Sequence, residues 1–328
     1  MHMRRREFVG LLGGAAALGW PIAARAEQPD RVRRIGALLT GVDTQLSDAF
    51  TGELEALGWS EGRNIHIEKR LHGGEQDRMR GYAAELVGLA PDVLLATSPI
   101  EAKVLRQETG TIPIVFAAGV DPVSQGVADS LAHPGGNITG CSTFEFSLGG
   151  KWVQTLKEIA PRVKRIGMVY NPQTAPYIES IVHSVDVAAA PLGVGISATP
   201  VRDMAELERA IASRGQEPDS AMIFPPDILL SANVKAIIAL VAQYRLPAIY
   251  SVPAYARFGG LLAYGPDFLD NYRRAARLVD RILRGEKPSD LPVEQPVKFV
   301  LAINLKSAKQ LGLDVGPSLL ARADEVIE

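Results

Sequence analysis

The chain has 328 residues, 47% hydrophobic and 22% charged, with 31 Gly and 22 Pro. That length suits two domains or lobes, and the composition excludes disordered, collagen-like and coiled-coil chains. A formal net charge of −2 offers no reason to expect a nucleic-acid partner, and the single cysteine, Cys141, can form neither an intrachain disulfide nor a thiolate metal cluster.

The N-terminus reads as an address. Arg4, Arg5 and Arg6 precede an apolar, Gly/Ala-rich stretch over residues 9–24, and Ala24-Arg25-Ala26 has the small-x-small pattern of a cleavage site. Residues 1–26 therefore read as a cleaved secretory signal peptide, and Arg5-Arg6-Glu7-Phe8-Val9 as a twin-arginine-like one. No cysteine near the cleavage site offers a lipid attachment point, so no lipid anchor is expected. Cleavage leaves 31 basic and 36 acidic residues, a net charge of −5. No later run reaches the ~18 consecutive apolar residues of a spanning helix. The expectation is an exported, soluble, periplasmic protein.

From residue 34 the pattern alternates. Residues 34–39 form an apolar run that predicts a buried strand; residues 47–57 have helical spacing (Phe50, Leu54, Leu57) closed by Gly58. Strands are predicted at 64–68, 93–96 and 113–117, with helices at 77–89 and 101–107 between them. Such alternation implies βαβ crossovers and a parallel sheet. Residues 119–143, rich in Gly and Pro, break the rhythm. A second series follows: helix 148–159, strand 165–170, helix 177–190, extended 195–200, helix 204–213, strand 219–224, helix 229–244 and strand 248–250. The spacing thus predicts two α/β units, each with its own parallel sheet. The tail adds an extended 260–266, a strong helix over 267–284, a strand at 297–303 and helical stretches in the last 25 residues. A late helix and strand suggest that the chain passes between lobes more than once.

These residues form a recognisable set: Ile112-Pro113-Ile114-Val115-Phe116, Val120-Asp121-Pro122-Val123, Pro134-Gly135-Gly136-Asn137-Ile138-Thr139-Gly140, Tyr264-Gly265-Pro266, Leu291-Pro292-Val293-Glu294-Gln295-Pro296 and Ile303-Asn304-Leu305-Lys306. The chain resembles the ABC-transporter substrate-binding proteins of the TrpX-like type over residues 33–328. The resemblance implies an α/β, type I periplasmic-binding-protein fold: two Rossmann-like parallel-sheet lobes joined by three crossovers around a ligand cleft. It places lobe 1 at 33–142 plus 264–294 and lobe 2 at 143–263 plus 295–328, with hinge residues Ser142, Thr143, Tyr264 and Gln295. It implies a small organic ligand (an amino acid, an aromatic amino acid or a related carboxylate), an ABC permease in the inner membrane as partner, a monomeric protein and no cofactor. The alternative is a periplasmic sensor that presents its closed form to a membrane receptor.

In open α/β sheets ligands bind beyond the carboxyl ends of strands. The candidate ligand residues are therefore those of the strand-end loops. In lobe 1 these are Thr40, Asp43, Thr97, Ser98, Gly119 and Asp121, with the Thr97-Ser98 hydroxyls suited to a carboxylate; in lobe 2 they are Asn171, Asp227, Tyr250 and Ser251, with Tyr264 on a crossover. Gly193-Val194-Gly195-Ile196-Ser197-Ala198 fits a dinucleotide fingerprint but follows a helix and enters a strand, the wrong order. His66 and His72 lie at no metal-ligand spacing and read as surface residues. No nucleophile elbow, zinc helix or phosphate loop is present, so an enzyme is not expected.

Overall fold

A computed structural model describes residues 31–328 except 42, 144 and 146. The expected signal peptide lies outside these residues. The described chain builds two sheets within one unit, Val32–Glu328.

The first series runs β1 (Arg33–Leu39), α1 (Thr44–Ala56), β2 (Ile65–Leu71), α2 (Gln76–Gly88), β3 (Val93–Ala96), α3 (Pro99–Glu108), β4 (Ile114–Gly119) and β5 (Ile138–Ser142). Its sheet is parallel, in the order β2-β1-β3-β4-β5. Helices cover both faces, so its strands are continuous apolar runs rather than alternating ones. On β3, Val93 and Leu95 enter the core shared with Phe50 and Leu54 of α1, while Leu94 and Ala96 enter the core shared with Met79, Leu86 and Leu105. β5 lies in the Gly- and Pro-rich stretch, where the resemblance implies a crossover strand near Cys141-Ser142-Thr143 but periodicity predicts none. Its Gly140 explains why: a Cβ there would stand 2.4 Å from the Phe116 carbonyl oxygen, so close contact with β4 leaves no room for a β-propensity residue.

The second series runs α4 (Leu148–Ile159), β6 (Arg165–Tyr170), α5 (Ile178–Ala189), β7 (Gly195–Pro200), α6 (Met204–Gly215), β8 (Ser220–Phe224), α7 (Ile228–Ala232), α8 (Val234–Gln243), β9 (Ala248–Tyr250) and β10 (Leu262–Pro266). The tail adds α9 (Phe268–Leu283), β11 (Phe299–Asn304), α10 (Leu305–Leu311), α11 (Pro317–Arg322) and β12 (Glu325–Ile327). The second sheet has the order β12-β11-β10-β9-β8-β6-β7. Its β7-β6-β8-β9-β10 segment repeats the order of the first sheet. The helix predicted over 229–244 is divided at Asn233, whose backbone leaves helical geometry (φ −114°, ψ 15°).

The parallel expectation needs one correction: β11 runs antiparallel to β10. Connectivity requires it. β10 leaves the second sheet toward α9, which packs on α1 and β4 of the first lobe. The chain then returns through Glu294, which pairs with Cys141 at the end of β5, and re-enters beside β10 in the opposite direction. Residues 264–266 lie in β10, so the second passage falls at Asp267, after the position the sequence suggests.

The three passages are tied to one another. Ser142 N–H donates to the Glu294 carbonyl (2.7 Å), Glu294 N–H to that of Gly140 (2.9 Å), and Asn271 Nδ2 to that of Ser142 (2.9 Å). Asp267 N–H donates to the Lys298 carbonyl (2.9 Å), and the Lys298 ammonium pairs with the Asp267 carboxylate at 2.8 Å.

Candidate functional site

Strand order selects the site. In the first sheet the connections reverse direction between β1 and β3; in the second they reverse between β6 and β8. Such switch points leave a crevice beyond the strand ends. The loops at these points face one cleft of about 1050 Å³, lined from both lobes and from the crossover residues Thr143, Pro266 and Phe268.

The first wall is a buried polar cluster around Glu101, in the first turn of α3. Glu101 and His72 are each 3% exposed. Ser98 caps α3 in a reciprocal box: its hydroxyl oxygen accepts from the first turn, including Ile100 N–H at 3.3 Å, and its own N–H donates to Glu101 at 3.1 Å. The Ser98 hydroxyl also donates to that carboxylate. On the other oxygen, Glu101 accepts from the Thr40 hydroxyl (2.6 Å) and from His72 Nε2 (3.2 Å). His72 Nδ1 accepts the Gly74 N–H at 3.1 Å, so the ring proton lies on Nε2, facing Glu101. Burial alone would raise the Glu101 carboxyl, but the hydrogen bonds from His72, Ser98 and Thr40 outweigh it and hold the group below the ordinary carboxylate value.

The second wall centres on Asp227, 4% exposed. One carboxylate oxygen caps α7 by accepting from Leu229 N–H (2.7 Å) and Leu230 N–H (3.2 Å); the other accepts from Asn171 N–H at 2.7 Å, joining the β6 and β8 loops. Burial raises the Asp227 carboxyl, opposed by these three N–H groups. Asn171 is itself turned inward, its Oδ1 accepting from Gln173 N–H at 2.9 Å. Aromatic and apolar groups complete the cleft: Trp152, with Nε1 donating to the Tyr264 carbonyl at 2.7 Å; Tyr177, whose hydroxyl donates to the Pro226 carbonyl at 2.9 Å; and Phe268, Ile100 and Ile228.

Of the candidate ligand residues, Thr40, Thr97, Ser98, Asp227 and Ser251 line this cleft, as does the hinge candidate Thr143. Others serve nearby. Asp43 caps α1 through Leu46 N–H (3.1 Å). Asp121 accepts from Ser124 N–H (3.1 Å) at a left-handed backbone position, φ 41°. Gly119 packs where a Cβ would meet Phe116 and Pro99 within 3 Å.

Tyr250 is not a wall of the cleft. It is buried against Phe224, ring centroids 4.9 Å apart, and its hydroxyl has no hydrogen-bond partner among the described residues. Tyr264 stacks on Phe299 at 6.0 Å and gives its carbonyl to Trp152. At the hinge candidates, the Ser142 carbonyl is held by Asn271, Thr143 N–H donates to the Gly119 carbonyl (2.8 Å), and the Gln295 carbonyl accepts from Arg274.

The sequence reading missed Glu101, Trp152 and Tyr177, and placed His72 on the surface. The Ser98-x-x-Glu101 spacing is a capping-box signature and marks Glu101 in the sequence alone. His72 carried no such signal: its burial comes from the loops that close over the end of β2.

A family model described as ABC transporter substrate binding protein matches residues 43–327. A tyrosine-binding protein of Clostridioides difficile (strain R20291) is 27% identical over 265 residues, 80% of this chain and 75% of that protein. An ABC domain in complex with L-Trp from Streptococcus pneumonia has a TM-score of 0.80 at 24% identity, covering 90% of this chain and 99% of the other. A conserved domain protein from Vibrio cholerae has a TM-score of 0.81 at 28% identity, covering 90% and 100%. The two-lobed architecture is that of type I periplasmic binding proteins. The matched pattern runs through both sheets and every passage between them, and so the chain belongs to the ABC transporter substrate binding proteins.

Proposed function

We propose that this protein captures an aromatic amino acid or a close relative in the cleft between its lobes, outside the cytoplasmic membrane, and delivers it to an ABC permease for import. The observation that carries the reading is the cleft itself, which joins the switch points of two sheets across three passages. Its volume of about 1050 Å³ lies just above the usual range for small-molecule sites, ample for an amino acid. The tyrosine-binding relative and the L-Trp complex support the ligand class. The basic, apolar, small-x-small leader supports export.

Ligand residues are proposed from both walls: Thr40 and Thr97 on the first, Ser251 on the second, with Ser98 and Asp227 holding the two walls in shape. Ring contacts fall to Trp152, Tyr177 and Phe268. A ligand that bridges the walls closes the lobes. Moving from 1:99 to 99:1 in favour of the closed form needs about 5.5 kcal/mol of differential binding. Micromolar affinity corresponds to about 8.2 kcal/mol in total. Most ligand contacts must therefore form only on closure.

Calorimetry on protein refolded free of co-purified ligand tests this with L-Tyr, L-Trp and L-Phe. At least one should bind at micromolar or tighter Kd and raise the melting temperature. No binding of any amino acid would overturn the assignment of ligand class.

A further inference from the structure

Two residues of the first wall, Thr40 and Ser98, have a fixed hydrogen-bond polarity. Thr40 spends its hydroxyl proton on Glu101, and Ser98 spends both its hydroxyl proton and its N–H there. The Ser98 oxygen is taken up by the first turn of α3, including Ile100 N–H, and position 99 is a proline with no N–H at all. The helix start that would otherwise receive a ligand carboxylate is thus already filled by the chain's own carboxylate. Thr40 lines the cleft at an exposed position, and with its proton committed elsewhere its hydroxyl oxygen can only accept. Among the described residues lining the cleft, the buried charged groups are two carboxylates, Glu101 and Asp227, whereas the cationic Arg80 and Lys103 are both exposed.

We infer that the first wall is an ammonium subsite: Thr40 Oγ1 accepts from a protonated amine of the ligand, Glu101 fixes that acceptor polarity and supplies the opposite charge behind it, and a carboxylate is refused there. Glu101 acts through Thr40 and Ser98 and is a positioning residue, which sets selectivity between amines and acids. This rests on the cleft being the ligand site, and it narrows the ligand class to molecules bearing a cationic amine.

Calorimetry with matched skeletons tests it: L-Tyr, tyramine, which lacks the carboxylate, and 3-(4-hydroxyphenyl)propionate, which lacks the amine, with the tryptophan and phenylalanine sets beside them. A hydrogen bond to a charged group corresponds to about a 10–100-fold difference in affinity. Tyramine or its counterparts should therefore bind at least about 10-fold tighter than the matching acid. Binding of amines without amino acids would overturn the amino-acid assignment and sustain the ammonium subsite. An amino acid that binds no better than its deaminated acid would overturn the subsite and leave the assignment standing. Binding of acids alone, or of no probe in any set, would overturn both.

Glu101→Gln separates polarity from scaffolding. The amine-to-acid preference should fall about 10-fold, whereas a scaffolding role would weaken both probes together and leave their ratio unchanged. Thr40→Val, at an exposed position, covers the case in which Glu101→Gln does not fold; it should cost amine affinity about 10-fold and spare the acid. An unchanged ratio in the variants that fold would overturn the inference.

Discussion

Glu101 is almost fully buried and still ionises more readily than an ordinary carboxyl, because four donors from three residues reach it. A carboxyl whose folded value lies below 4.5 stabilises the native state above that pH and ceases to do so as pH falls through the folded value. The difference in melting temperature between the wild type and Glu101→Gln should therefore be largest near neutral pH and shrink once the pH drops below 4.5. Thermal melts from pH 3 to 8 measure it, and a difference independent of pH would contradict the ionised, hydrogen-bonded assignment. Single-residue roles were only partly legible beforehand. The cap at Ser98 is written in a four-residue spacing. The fate of Tyr250 is not: it ends an apolar strand next to a candidate loop, but the two-residue period of β9 turns its ring toward Phe224 and α8, away from the cleft.

Elements were easier to read where their ends carry chemistry. Asp203, Asp267 and Asp227 each cap the helix that follows through N–H groups two or three residues on, and each helix start was predicted within a residue or two. Periodicity alone missed β5, which is glycine-bearing, and β12, which is three residues long. The role of Asp227 has a cost attached. Its side chain takes two cap N–H groups and also that of Asn171 in a neighbouring loop, so Asp227→Ala leaves a buried donor unpaired as well as a helix uncapped. The ligand-free protein should lose about 1–3 kcal/mol of stability, measured by urea unfolding. Thr97→Ala, at a half-buried position where the side chain accepts a long 3.3 Å bond from Thr40 N–H and meets the Tyr272 hydroxyl, should lose less than half as much. Equal losses would mean that Asp227 does not tie the two loops together.

Across the whole molecule, the sequence announces two α/β units but not how they are wired. Periodicity predicts a strand at 297–303; it says nothing of which neighbour that strand takes or in which direction. Only the passage of the chain into the first lobe and back sets β11 antiparallel to β10. The same passage places Glu294 beside β5 and brings Arg274 of α9 to its carboxylate at 2.7 Å. The lobes are joined by a laced bundle rather than by three loose threads. That arrangement suits a hinge in which a few backbone angles near residues 143, 267 and 296 absorb the motion while the lacing stays intact.

Cys141 lies under that lacing with 0% exposure, and it is the only sulfhydryl in 328 residues. Burial pushes its ionisation far above the ordinary thiol value, so the native protein offers no reactive anion to an aromatic disulfide dye. Modification must wait until the Glu294 segment peels from the sheet edge. The kinetics of colour release would then serve as an intrinsic clock for strap detachment, needing no engineered label. Severing the guanidinium tether with Arg274→Ala should quicken that clock several-fold, and a rate identical to the parent's would show that the strap is fastened elsewhere.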